Sequence, residues 1–273
     1  MIAFPNCKIN LGLSIVAKRP DGYHELETIF YPVALTDILE VIHSNDPDTS
    51  IQFTSTGLKV PGNLDQNLCV KAFELLKKDY PSLPNVKIHL HKHIPMGAGL
   101  GGGSSDATAV LKLLNQQFNL GLSTAQLIDY AAQLGSDCAF FVYYKAYHAT
   151  GRGEILNPFH CDLSNYQIVL IHPGIHVSTA WAFGQLTPSS KEKSIAEIVA
   201  QPIETWKANL INDFEHSIIQ AHPTIGELKN LLYQQGAIYA SMSGSGSSLF
   251  GIFHKDQALS KSLFSTAFRV DII

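Results

Sequence analysis

No apolar run in this chain approaches the ~18–20 residues needed to span a bilayer, so a membrane-spanning helix does not organise it. The first residues lack the unbroken apolar stretch of a secretory leader, because Asn6, Lys8 and Asn10 interrupt it. Cysteine is sparse: Cys7, Cys69, Cys138 and Cys161 are scattered, with no Cys-x-x-Cys pair. That spacing offers neither a zinc knuckle nor a disulfide framework and predicts reduced thiols in a soluble, cytoplasmic protein. There is no basic excess either. The formal net charge of -4 argues against nucleic acid as a partner. Charged residues make up only 15% and hydrophobic residues 45% of 273 positions, a balance that suits one large or two smaller packed cores and not a disordered chain.

What is present is ordered periodicity. Ile9, Leu11, Leu13 and Ile15 alternate with polar or small residues and predict a strand. A turn at 19–22 follows, then a second strand through Ile29, Tyr31 and Val33. Further strands are expected over 37–43, 50–54 and 86–90. Asn67 is placed to cap a helix reaching Lys78. Another helix is expected over 104–118, and the capping box Ser123-Thr-Ala-Gln126 opens one ending near Gly135. The apolar segment 140–144 reads as a strand. A boundary between Pro158 and Asn165 divides 1–158 from 159–273. Beyond it come a strand over 167–171, a helix capped by Ser178 or Thr179, a polar loop over 187–190 and a helix over 224–235. Strands over 238–242 and 249–253, a helix over 256–264 and a strand over 268–272 complete a split βαβ, ferredoxin-like layer. The expected fold class is α+β: an N-terminal mixed α/β domain followed by a C-terminal ferredoxin-like domain.

The run Pro95-Met-Gly-Ala-Gly-Leu-Gly-Gly-Gly-Ser-Ser105 stands out between a strand and a helix. Glycine lets backbone approach an anion and adopt positive φ, while a helix N-terminus offers unpaired N–H groups to phosphate oxygens. Walker A chemistry is excluded, because no lysine follows these glycines. Gly97-x-Gly99-x-x-Gly102 matches the dinucleotide spacing, the serious rival. That fold needs a second parallel strand after the helix, and a second capped helix stands there instead. Phosphorylating an alcohol calls for a carboxylate near the hydroxyl and positive charge near the transferring group. Asp137, at the end of a helix, and Lys8, in a half-buried strand, are candidates that spacing alone does not join.

Lys8-Ile-Asn-Leu11, Arg19-Pro-Asp-Gly-Tyr-His24, the glycine run, Leu134-Gly-Ser-Asp137, His172-Pro-Gly174 and Ser243-Gly-Ser-Gly246 occur in this order along nearly the whole chain. Together they resemble the GHMP kinase family. The resemblance implies a two-domain GHMP kinase fold, with ATP as donor accompanied by Mg2+ and no protein-held metal. The Asp-Gly-Tyr-His turn with the triple glycine implies a small-molecule acceptor, a cytidine diphosphate-linked polyol used in isoprenoid precursor synthesis. It further implies that Asp137 takes the hydroxyl proton and that Lys8 supplies positive charge. Pro95, Met96, Gly97, Ala98, Gly99, Leu100, Gly101, Gly102, Gly103, Ser104 and Ser105 would hold the nucleotide, with Asn67 and Lys92 nearby. Asn10 would contact substrate, Tyr23 and Phe183 sandwich cytosine, His24 hydrogen-bond the base, and Thr179 line that pocket. Asp106 departs from the family pattern; beside phosphates an anion is expected to point outward or help hold Mg2+. Kinases of the same family for homoserine, mevalonate or a sugar, and a non-catalytic nucleotide binder, are the competing readings.

Overall fold

Alternation over Val86–Lys92 buries Val86, Ile88, Leu90 and Lys92 on one face and turns Lys87 and His91 to solvent. This computed structural model describes residues 1–186, 188, 191–264 and 268–273. The strands are β1 (Ile2–Ala3), β2 (Asn6–Lys18), β3 (His24–Thr36), β4 (Ile38–His43), β5 (Ile51–Gly57) and β6 (Val86–Lys92). They continue as β7 (Tyr147–Thr150), β8 (Ile155–Pro158), β9 (Tyr166–His172), β10 (Tyr239–Met242), β11 (Leu249–His254) and β12 (Arg269–Ile272). The helices are α1 (Leu68–Asp79), α2 (Gly102–Gln117), α3 (Thr124–Leu134) and α4 (Thr179–Gly184). After them come α5 (Ile195–Val199), α6 (Trp206–Asn209), α7 (Glu215–Ala221) and α8 (Pro223–Gln234). The polar loop expected over 187–190 lies, apart from Pro188, outside the described residues.

The chain forms two compact units. The first comprises residues 1–7, 34–96 and 101–144; the second comprises 8–33, 97–100 and 145–273. This division follows sheet pairing across distant segments, whereas the sequence reading drew one boundary near 158.

In the first unit the sheet order is β1-β4-β6-β5, with β4 antiparallel and β5 parallel to β6. Helices α1, α2 and α3 bury Phe73, Leu76, Val110, Leu111, Leu114, Leu127 and Ala131 with Leu39, Val41, Ile88 and Leu90 of the sheet. Each such side chain larger than alanine stabilises the fold by about 1.5–3 kcal/mol relative to exposure. Asn67 accepts a hydrogen bond from the Cys69 N–H (2.8 Å) as the cap of α1, and Ser123 and Gln126 form the expected capping box. The strand expected over 140–144 is instead a 3-10 turn at Cys138–Val142. The reason is local: Thr108 Oγ1 donates to the Cys138 carbonyl (2.8 Å), and Lys112 Nζ donates to the carbonyls of Phe141 (3.1 Å) and Val142 (3.0 Å). Side chains of α2 take the acceptors that a strand ladder would need.

The second unit has two sheets. One has the order β2-β3-β7-β8, whose β7–β8 hairpin turns at Gly151–Glu154 and was not foreseen in the sequence. The other, β10-β11-β9-β12, is antiparallel throughout and has the strand order of a ferredoxin-like layer. Packed on it are Phe214, Ile218, Ile225, Leu228 and Leu232 of the helical segments. The helix expected over 256–264 is reduced to a 3-10 turn at Lys261–Leu263. Gln167 Nε2 takes the Gln257 carbonyl (2.6 Å), and Gln257 Nε2 reaches the Gln235 carbonyl (2.6 Å), so this stretch is pinned as a turn.

Candidate active site

Residues Asn6 to Ile15 of β2 are all buried, on both faces. Its apolar face is ordinary core; the other carries Lys8, Asn10 and Ser14 at 4%, 1% and 4% exposure. A buried polar group needs a partner, and here the partners form a chain. Lys8 Nζ donates to Asn10 Oδ1 (2.6 Å) and lies 4.9 Å from the Phe30 ring centre. Asn10 Nδ2 donates to Thr28 Oγ1 (3.0 Å), which in turn donates to the Gly12 carbonyl.

The segment 97–100 of the glycine run joins this group in the second unit. The Lys8 N–H donates to the Leu100 carbonyl (3.0 Å), and the Ser248 N–H donates to the Ala98 carbonyl (3.1 Å). Ser243 Oγ donates to the Gly99 carbonyl (2.8 Å) and lies 3.4 Å from Asn10 Oδ1. Gly99 has φ +78°, and a Cβ there would lie 1.9 Å from the Ser243 carbonyl oxygen, so only glycine fits. Asn212 Nδ2 holds the carbonyls of Met242 (2.8 Å) and Gly244 (2.9 Å). Thus the loop after β10 clamps the glycine run, a role the sequence reading did not assign to Ser243 or Asn212. The available signal was a second Gly/Ser-rich run, Ser243 to Ser248, between two strands.

The expected cytosine-binding residues also lie in the second unit. Tyr23 is 56% exposed, and the Arg152 guanidinium sits 5.0 Å from its ring centre. The His24 ring stacks on Phe183 at 5.0 Å and 24°, and Phe183 meets Phe214 edge-on at 4.9 Å. The ring the structure brings onto Phe183 is therefore that of His24. Thr179 Oγ1 is 3.2 Å from Ser245 Oγ.

Asn67, Lys92, Pro95, Met96, Gly101 to Ser105 and Asp137 belong to the first unit, so Lys8 and Asp137 fall in different units. Gly101, at φ +69°, precedes α2, whose first N–H groups have no partner within the helix. Asp137 is half-buried at the start of the 3-10 turn. Lys92 is fully buried and ion-paired with Asp37 and with Asp106 (2.7 Å). Asp37 Oδ1 also accepts from the N–H groups of His93 and Ile94 (2.8 Å to Ile94). Burial opposes the charge on Lys92, yet the two carboxylates leave its pKa raised. Burial pushes the Asp106 carboxyl up to about 8, against the pull of Lys92. Asp106 therefore points inward to a lysine, not outward to solvent. Among the described residues no cluster of three or more His, Cys, Asp or Glu side chains could hold a metal, and no helix is long and apolar enough to cross a membrane.

Comparison with known proteins gives a consistent result. The pattern of the GHMP kinases N terminal domain matches residues 67–145, and that of GHMP kinases C terminal matches 195–262. The chain is 53% identical over 97% of both lengths to a Bacteroides thetaiotaomicron protein named 4-diphosphocytidyl-2-C-methyl-D-erythritol kinase. It is 52% identical, over 93% of both lengths, to a Cytophaga hutchinsonii protein of the same name. A crystal structure of 4-(cytidine 5'-diphospho)-2C-methyl-D-erythritol kinase superposes with a TM-score of 0.83 at 29% identity, covering 100% of this chain and 98% of the other.

Proposed function

The chain belongs to the GHMP kinase family, and from that premise we propose that it transfers a phosphoryl group from ATP to the 2-hydroxyl of 4-diphosphocytidyl-2-C-methyl-D-erythritol. The observation that carries this reading is the 53% identity, over 97% of both chains, to a kinase of that name. The product is the 2-phosphate, with ADP, on the non-mevalonate route to isoprenoid precursors, and the reaction is placed in the cytoplasm. Residues 1–158 serve as the ATP-binding domain and 159–273 as its C-terminal partner domain.

The transfer is direct and in line, so catalysis rests on positioning and electrostatics. Backbone N–H groups of the glycine run and of the start of α2 bind the ATP phosphates, with Asn67 and Lys92 in their neighbourhood. Mg2+ would accompany the nucleotide as the counter-ion of those phosphates. Asp137 accepts the hydroxyl proton. Lys8, held by Asn10, supplies positive charge to the reacting oxygens. Asn10 contacts the acceptor, while Tyr23, His24, Phe183 and Thr179 receive cytidine. Supporting the last assignment is the aromatic group of His24, Phe183 and Phe214 beside an exposed Tyr23.

The test is phosphoryl transfer from γ-labelled ATP to the cytidyl polyol, with the product's new phosphate ester located by phosphorus NMR. Asp137→Asn is expected to lower kcat by about 10²–10⁴ while ATP still binds. Near-normal turnover in that variant would remove Asp137 as the base. Absence of labelled product with wild-type protein would remove the substrate assignment.

A further inference from the structure

The buried ions under α2 form a group that the transfer chemistry does not use. Asp37 lies between β3 and β4, Lys92 ends β6, and Asp106 lies in the second turn of α2. All three belong to the first unit, where Lys92 and Asp106 flank the two ends of the glycine run in sequence. Asp37 Oδ1 takes the N–H groups of His93 and Ile94, the first two residues after β6, and its Oδ2 takes Lys92 Nζ. Lys92 Nζ then reaches Asp106 Oδ2 at 2.7 Å, beyond the end of the run. Close packing accompanies the charges: a Cβ on Gly102 would lie 2.8 Å from Ile94 Cγ2 and 3.0 Å from Lys92 Nζ. The first residue of α2 is thus a glycine because the lysine ammonium and Ile94 occupy the space of a side chain.

We propose that Asp37 and Asp106 are positioning residues for the nucleotide, clasping Lys92 so that both ends of the glycine run are fixed before ATP binds. The proposal rests on that run being the ATP phosphate loop. Lys92 works through this clasp, since its side chain is 0% exposed and already shared by two carboxylates. One ammonium facing two carboxylates is balanced when one carboxyl is protonated. Asp106 is the member suited to hold that proton, because its Oδ1 is buried with no hydrogen-bond partner among the described residues. The other titratable group in the same field is Cys69 of α1, whose thiol is pushed well above its ordinary value, first by burial and then by Asp106. Raising the pH removes the proton from Asp106, leaving the clasp with two negative charges against one positive.

The experiment is calorimetric titration of the full chain with ATP, using wild type, Asp37→Asn and Asp106→Asn. An asparagine at 37 cannot present two acceptors, so it loses either Lys92 or the loop N–H groups. Its Kd for ATP is expected to rise about tenfold or more in folded protein. Folded Asp37→Asn protein with wild-type affinity overturns the clasp, because a merely structural residue would lower the melting temperature and leave that Kd alone. Should Asp37→Asn not fold, Asp106→Asn decides. Between about pH 7 and about pH 9 the wild-type Kd is expected to rise more steeply than that of Asp106→Asn, which has no proton to lose there. Equal slopes overturn the proposal. Wild-type protein that binds no ATP overturns the loop reading and the clasp with it; wild type that binds, with variants like it, overturns the clasp alone.

Discussion

At the scale of single residues, the polar positions of β2 explain both what was legible and what was not. Alternation through Ile9, Leu11, Leu13 and Ile15 marked an apolar face. Nothing in that pattern shows that Lys8 and Asn10, on the opposite face, are also buried; their burial depends on segments around 28, 99 and 243, distant in the chain. Asp106 was legible only as an oddity beside Ser104 and Ser105. Its partner, Lys92, lies 14 positions away, and its other neighbour, Asp37, is further still, so one sequence could not reveal the ion cluster. The cluster has a consequence for stability. The folded carboxyl of Asp106 sits at about 8 against an ordinary 3.8, chiefly because of burial. A raised carboxyl pKa means that the fold binds more protons than the unfolded chain between those values. Its contribution to stability is therefore complete below about pH 4 and is lost as pH rises through about pH 8. Urea midpoints measured across this range are expected to fall for wild type relative to Asp106→Asn. A constant difference would show that Asp106 titrates alike in the folded and unfolded chains.

Among the elements, the long helices α1, α2, α3 and α8 were readable, as were the short β10, β12 and α4, whereas β7 and β8 were not. Helix α1 begins at its Asn67 cap and α3 at its capping box, because those signals are local side-chain bonds to the backbone. The strands β7 and β8 exist because they pair with each other, and β7 with β3 across more than a hundred positions. Segment 140–144 was misread as a strand for a physical reason. Its run of Phe and Val favours a strand, but α2 supplies donors that satisfy its carbonyls in a helical turn. That account makes Lys112 a structural tie. Replacing it with methionine keeps much of the apolar stem but leaves the Phe141 and Val142 carbonyls without this donor. Lys112→Met is expected to lower unfolding stability by about 1–3 kcal/mol, measured by urea denaturation. An unchanged midpoint would mean that solvent satisfies these carbonyls equally well.

For the molecule as a whole, the ordered motifs spread over the chain carried more than any one of them. The glycine run alone spoke for a phosphate and left a dinucleotide rival, which the α2–α3 succession disfavours. The ferredoxin-like layer was legible in strand order, even though the last helix is only a turn. The clamp of Ser243 onto Gly99, with Asn212 holding the loop behind it, was hidden, because Ser243 and Gly99 lie 144 positions apart. Specificity for the acceptor is the central claim, and it turns on cytidine. Stacking of one base on aromatic side chains contributes about 1–3 kcal/mol. The most direct measurement is kcat/KM, with saturating ATP, for the cytidyl polyol phosphate against the same polyol phosphate lacking cytidine. The account predicts that removing cytidine lowers kcat/KM by about 10–100-fold or more, and that Tyr23→Ala narrows the gap. Equal kcat/KM for the two acceptors, with wild type and Tyr23→Ala alike, would contradict it.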